Sequence, residues 1–222
     1  MTLDYAQKED FKDFKRLYMS AFPAEERHPY FLLQHFLKRK KGELLIAKDK
    51  GLFVGFAYLI CYQDLVYLFF FAVEEQMRGQ GYGSEILRLI KEQKKGMRIF
   101  LAREPLDSFA DNAEQRIKRR EFYKKNGLED LPMNIVENNY VFDTMSIGGA
   151  VSPAEYKALV TNWCGKLFCK LLKLDAKENA VKKPNYFIKF CKGVMLPLGS
   201  ATPLYSDGII DLLPVPTALF SS

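Results

Sequence analysis

Leu65-Val66-Tyr67-Leu68-Phe69-Phe70-Phe71-Ala72-Val73 is followed, after four residues, by Arg78-Gly79-Gln80-Gly81-Tyr82-Gly83-Ser84. The first stretch is apolar without alternation, so it reads as a strand buried on both faces, the position of a central strand. The second places glycine at every other position and runs into Ile86, Leu87 and Ile90 at helical spacing. Together they predict a strand, a tight turn and an amphipathic helix. Alternate glycines remove the Cβ atoms that would hold a ligand off the backbone, and they permit positive φ. Main-chain N–H groups of such a turn can converge on an anion, and the positive end of the following helix adds to the attraction. The turn is therefore expected to hold a phosphate or pyrophosphate.

Upstream, Leu3 to Ala6 reads as a first strand, and Lys8 to Ala21 as a helix with Phe11, Phe14 and Tyr18 on one face, ended by Pro23. A polar loop, Glu25-Glu26-Arg27-His28-Pro29, leads to a second helix from Tyr30. That helix ends in the cations Lys38 to Lys41, which suit its C-terminal dipole, and at Gly42. Strands follow over 43–47 and 52–62. Downstream come a strand over 97–102, a charged helix over 110–125 stopped by Asn126-Gly127, and a hairpin of 132–136 with 140–145 around Asn138-Asn139. Ser152-Pro153-Ala154-Glu155 carries cap, first-turn proline and third-position glutamate. It predicts a helix from Pro153 to about Leu174, broken near Gly165. Residues 197–222 receive no assignment.

Three phosphate-binding patterns compete for the glycine turn. A phosphate loop of the Walker type needs Gly-Lys-Ser/Thr, which is missing. A dinucleotide fingerprint would use Gly79, Gly81 and Ser84 with Glu104 as its acidic residue. It would then follow some 70 residues of other elements instead of opening the chain. Arg78-x-x-Gly81-x-Gly83 resembles the coenzyme A pyrophosphate loop (Gln/Arg-x-x-Gly-x-Gly/Ala) of the GCN5-related N-acetyltransferase (GNAT) superfamily. Phe122-Tyr123-Lys124-Lys125-Asn126-Gly127-Leu128 matches a second family feature, a tyrosine in the helix after the fifth strand followed by glycine and an apolar residue. The order of elements over residues 3–146 matches as well. Ala24-Glu25-Glu26-Arg27 and Glu104-Pro105-Leu106-Asp107 are similar to a bacterial subgroup whose acceptors are mostly unassigned.

The resemblance implies an α/β (α+β) fold, a central mixed, mostly antiparallel sheet flanked by helices, over residues 1–150; residues 151–222, beyond the resemblance, read as a helical and irregular C-terminal extension. It implies transfer of an acetyl group from acetyl-CoA, as co-substrate, to a primary amine by direct attack in a ternary complex. In such a fold the fourth and fifth strands part near the loop, and freed main-chain groups, here of Phe71, Ala72 and Val73, bind the pantetheine arm. Arg78, Gly79, Gln80, Gly81, Tyr82, Gly83 and Ser84 are then the pyrophosphate-binding residues. Tyr123 is the candidate general acid, since a phenol with an ordinary pKa of about 10 is protonated at neutral pH and can donate to a nascent thiolate. Many relatives carry a catalytic carboxylate on the fourth strand. Residues 65–73 have none, so Glu104, at the end of the next strand, is the candidate base, with a water relay as the alternative. The family's asparagine two turns before the tyrosine is replaced by Arg116, which reads as one of several exposed cations. A second reading is a catalytically inactive CoA-binding module whose basic tail binds a partner.

Composition sets the outer limits. The chain has 222 residues, 48% of them apolar, enough for a packed core. The net charge of +6 lies mostly in residues 163–222, which carry +4. A basic tail can meet an acidic partner or an anionic surface, but nucleic acid is not expected as a partner. The stretch 163–174 is amphipathic and can dock on its own domain or on a second copy, giving a homodimer. Cys61, Cys164, Cys169 and Cys191 form no Cys-x-x-Cys pair, and with two histidines no metal site is expected. No apolar run is long enough to span a membrane and no signal peptide is visible, so a cytoplasmic location is expected.

Overall fold

The computed structural model describes residues 1–24, 27–137 and 140–178. The chain divides into a unit over Met1–Lys183 and a second over Pro184–Ser222. The second unit, the hairpin tip Asn138-Asn139 and the loop residues Glu25 and Glu26 lie outside the described residues.

Eight strands form one sheet. They are β1 (Thr2–Tyr5), β2 (Glu43–Asp49), β3 (Leu52–Tyr62), β4 (Leu65–Val73), β5 (Arg98–Arg103), β6 (Glu129–Glu137), β7 (Tyr140–Ile147) and β8 (Asp175–Glu178). Their spatial order is β1-β2-β3-β4-β5-β7-β6-β8. The hairpin strands pair antiparallel, whereas β4 and β5 run parallel. Parallel neighbours need a crossover, and the amphipathic helix after the glycine turn supplies it. The helices are α1 (Phe11–Ala21), α2 (Tyr30–Lys38), α3 (Tyr82–Gln93), α4 (Ala113–Lys125) and α5 (Pro153–Leu171).

Alternation along the strands loads both sheet faces. Phe56, Tyr58 and Ile60 of β3 join Phe14 and Tyr18 of α1, Leu33 of α2 and Trp163 of α5 in one core. Ala57 and Leu59 join Ile86, Leu87 and Ile90 of α3 and Tyr123 of α4 in the other. On β4 the parity changes midway. Leu65 and Tyr67 face the first core, and so do Phe70 and Ala72. The cause is one extra residue: Leu59 pairs with Leu68 and Tyr58 with Phe70, so Phe69 has no partner on β3. Such a bulge bends its strand and raises the local twist.

Most sequence-based elements fall within a few residues of the observed ones. The charged helix begins at Ala113 and not Ala110, because residues 104–112 form a loop that packs on its first turn. The strand expected from Pro132 begins at Glu129. The last helix does carry a break, with Gly165 at φ 81° and ψ 158° inside it. β8 had no signal: Asp-Ala-Lys-Glu is a strand only because it pairs with Met133–Val136 of β6. His28, expected in an open loop, is buried and its ring stacks on Phe69 with centroids 5.1 Å apart. Among the described residues no helix is long and apolar enough to cross a membrane, and no His/Cys/Asp/Glu group is arranged to hold a metal.

Candidate active site

β4 and β5 share register only from Leu65–Arg98 to Tyr67–Phe100. Beyond that point the bulge at Phe69 carries β4 away, while β5 continues along β7 to Arg103. A cleft of about 470 Å³ opens between the parted ends. Phe71, Ala72 and Val73 form one wall, Leu101 to Glu104 another, and Tyr123 and Arg119 of α4 close a third side. Main-chain groups of β4 on the side facing β5 have no strand partner past Tyr67, so they are available to an extended ligand. An exposed sheet edge of this kind hydrogen-bonds such a ligand as it would another strand.

The glycine turn sits at the far end of β4. Gly79 and Gly81 have φ of 75° and 88°, and an added Cβ at either would meet nothing within 4 Å. The space over the turn is therefore open. Gly81 is the N-cap of α3, with no side chain bonded to the first-turn N–H groups. An uncapped helix start retains donors and partial positive charge for an anion. Gly83 is needed for a different reason: a Cβ there would lie 3.1 Å from the ring of Phe122.

The side chains of this turn mostly hold the scaffold. Arg78 Nε donates to the Val73 carbonyl at 3.1 Å, tying the turn to the end of β4. Gln80 Nε2 donates to Gln76 O at 2.8 Å. The Tyr82 hydroxyl donates to Asp49 at 3.0 Å, away from the cleft. Ser84 Oγ accepts from Asn126 at 3.1 Å, joining α3 to the end of α4. What Gly79 to Ser84 leave for a ligand is their main chain. The open turn, the uncapped helix start and the guanidinium of Arg78 at the cleft wall present N–H donors and positive charge suited to an anion.

Tyr123 is nearly buried and lines the cleft. Burial pushes its phenol up to about 12, against a smaller opposing effect of Arg119. Glu104 is at the rim with 12% of its side chain exposed. Its Oε1 accepts from Asn112 at 2.9 Å and pairs with Arg116 at 3.3 Å, and its Oε2 pairs with Arg119. Both oxygens are thus engaged by α4. Arg116, read from the sequence as an exposed cation, instead donates to Asn112 at 2.6 Å and to the Pro105 carbonyl at 3.0 Å. The loop over residues 104–112 folds onto α4, and Arg116 is the group that it folds around.

One cleft residue escaped the sequence reading. Glu137, the last residue of β6, lines the cleft beside Tyr67 and Phe142. Its Oε1 accepts from Tyr67 at 2.9 Å and from Tyr156 at 3.0 Å. Oε2 has no partner among the described residues. Burial raises its pKa above the ordinary carboxylate value, and the two phenol hydrogen bonds reverse only part of that. Nothing local marks this position, because the residue arrives by the pairing of β6 with β7.

Residues 40–129 match a family model described as an acetyltransferase (GNAT) domain. No curated protein sequence matches the chain. Among solved structures, a protein described as a GNAT-family acetyltransferase from Bacteroides thetaiotaomicron is similar with a TM-score of 0.58 and 20% identity, over 78% of this chain and 98% of that one. An aminoglycoside 6'-N-acetyltransferase solved with coenzyme A is similar with a TM-score of 0.50 and 19% identity, over 66% of this chain and 96% of that one. At these identities the likeness is one of fold.

Proposed function

We propose that the chain, whose residues 40–129 match the GNAT domain model, is a GNAT-superfamily enzyme that moves an acetyl group from acetyl-CoA to a primary amine within a ternary complex. The observation that carries this reading is the parting of β4 and β5 together with the open, glycine-lined helix start that follows β4, whose Arg78 lines the cleft. The main chain of Gly79 to Ser84, with Arg78, takes the pyrophosphate. Phe71, Ala72 and Val73 take the pantetheine arm as a strand would, which lays the thioester between the parted ends. A main-chain N–H of the freed strand can then meet the carbonyl oxygen as charge develops there.

Tyr123 is assigned the proton for the departing sulfur. Its phenol stays protonated throughout the neutral range and lines the cleft. Glu104 is assigned to holding Arg119 and the 104–112 loop, since both of its oxygens already bond Asn112, Arg116 and Arg119. That engagement also favours the second reading, a CoA-binding module without turnover, if no other base is present.

Calorimetric titration with acetyl-CoA, followed by thiol release in the presence of amines, separates the two. Binding with turnover supports transfer, and binding without turnover on any amine supports the module. Absence of binding overturns both.

A further inference from the structure

We propose that Oε2 of Glu137, which has no partner among the described residues, receives the acceptor as an alkylammonium ion and takes its first proton, and that the acceptor is a monoamine with an apolar body. The inference rests on the acetyl-transfer reading and deepens it. Three observations carry it. Tyr67 and Tyr156 both donate to Oε1, which fixes the carboxylate and leaves Oε2 directed to other partners. Glu137 and Tyr67 line the same cleft as Tyr123 and the freed end of β4. Four further aromatic rings line this cleft: Phe22, Phe69, Phe70 and Phe142.

The class of acceptor follows from charge. A carboxylate among aromatic rings attracts a cation by charge and by the ring faces. Among the described residues the cleft holds one other carboxylate, Glu104, whose oxygens are engaged. The other charged groups among the described residues that line it are Arg78, Arg103 and Arg119. One ammonium is therefore matched, and a second or third is repelled. Polyamines and aminoglycosides fit poorly.

The ammonium gives one proton to Glu137, which passes it to solvent after product leaves. The neutral amine attacks the thioester carbon, forming the C–N bond. Collapse of the tetrahedral intermediate breaks the C–S bond, and Tyr123 protonates the sulfur. The second nitrogen proton lost on amide formation restores Tyr123 through the cleft. Burial favours the first step, because desolvation disfavours both the ammonium and the carboxylate and draws their proton affinities together. The titratable groups that act on Glu137 are Tyr67 from β4 and Tyr156 from α5.

The test measures thiol release and amine binding with phenethylamine, spermidine and kanamycin as probes, on wild type, Glu137→Gln and Glu137→Asp. Wild type is expected to prefer phenethylamine by tenfold or more in kcat/KM. Glu137→Gln is expected to lose about 100-fold at pH 7, the usual scale for a lost base. That deficit should narrow as pH rises and free amine accumulates. Calorimetry on the protein–CoA complex should show phenethylamine binding to wild type and none to Glu137→Gln. Glu137→Asp keeps the charge one methylene further away and should retain binding with reduced turnover, which guards against a folding artefact in the glutamine variant. A Glu137→Gln protein with wild-type turnover at pH 7 overturns the role of Glu137. Preference for spermidine or kanamycin overturns the acceptor class, as does a wild type that binds acetyl-CoA but acetylates none of the three. Failure to bind acetyl-CoA at all overturns the transfer reading itself.

Discussion

The rings of Tyr67 and Phe100 stack at 4.7 Å with 6° between their planes, and these two residues are also the last register partners of β4 and β5. The stack closes the joined part of the sheet. Past it, the bulge at Phe69 turns β4 aside and the cleft begins. The same Tyr67 points its hydroxyl at Glu137, so one side chain both marks where the strands part and orients the carboxylate that lines the opening.

Replacing Gly81 by alanine should weaken acetyl-CoA binding about tenfold. A non-glycine residue at φ 88° is strained by roughly 1–2 kcal/mol, and relief of that strain would re-aim the first N–H groups of α3. Calorimetry with acetyl-CoA checks the affinity, and a denaturant titration checks the strain. Unchanged affinity would mean that the turn does not contact the nucleotide.

Tyr123→Phe should lower kcat by about 100-fold, within the usual range for a general acid, and leave acetyl-CoA affinity within threefold. Because burial raises this phenol to about 12, loss of its proton should not limit the wild-type rate below about pH 10. A steady-state pH profile reads both points. An alkaline limb near pH 8 that disappears in Tyr123→Phe would contradict the assignment.

His28 should make folding stability fall between neutral and mildly acid pH. Burial lowers its pKa to about 4, against about 6.5 in an unfolded chain. Between those values the unfolded state binds the extra proton, so stability declines as pH drops from about 6.5 towards 4. The loss by pH 5 should be about 2 kcal/mol on this linkage. His28→Phe, which keeps a ring against Phe69, should flatten that part of the curve. Urea titrations at pH 7 and pH 5 measure the difference.

Ser152→Ala should cost about 1 kcal/mol, the usual value of an N-cap. Ser152 and Glu155 form a reciprocal capping box, and Glu155 also pairs with Arg98 at 2.7 Å. Arg98 first, then the Ser152 backbone and side chain, hold Glu155 down to about 2. A carboxyl so depressed contributes stability above its unfolded value of roughly 4.3, and that contribution fades as pH falls towards 2. The half-exposed setting reduces its size through solvent screening. Thermal midpoints of Ser152→Ala and Glu155→Gln at pH 7 and pH 3 should converge on wild type at the lower pH for the second variant only.

The nine apolar residues of β4 and the alternate glycines after it were enough to place a central strand, a turn and a crossover helix, because each signal is local. Burial of β4 on both faces follows from composition, and the open turn follows from missing Cβ atoms. Tyr123 was singled out by a different route, the likeness of its helix to the family's Tyr-x-x-x-Gly-Leu pattern, and it lies on α4 lining the cleft. Glu104 was found as a residue at a strand end, but its two engaged oxygens were not foreseeable. They depend on Asn112, Arg116 and Arg119, which reach it only once the 104–112 loop lies against α4.

The chain's own order of apolar and glycine residues thus settled the central strand, the crossover helix and the glycine turn between them, since short-range sterics and side-chain periodicity act within each segment. Glu137, His28 and β8 were settled elsewhere. Glu137 meets Tyr67 across 70 residues of chain and Tyr156 across 19. His28 is buried because Phe69, Phe70 and Trp163 pack around its ring, and β8 is a strand only beside β6. In each case the deciding energy is burial or pairing against a partner distant in sequence, and no local pattern records a contact that exists only after the strands have come together.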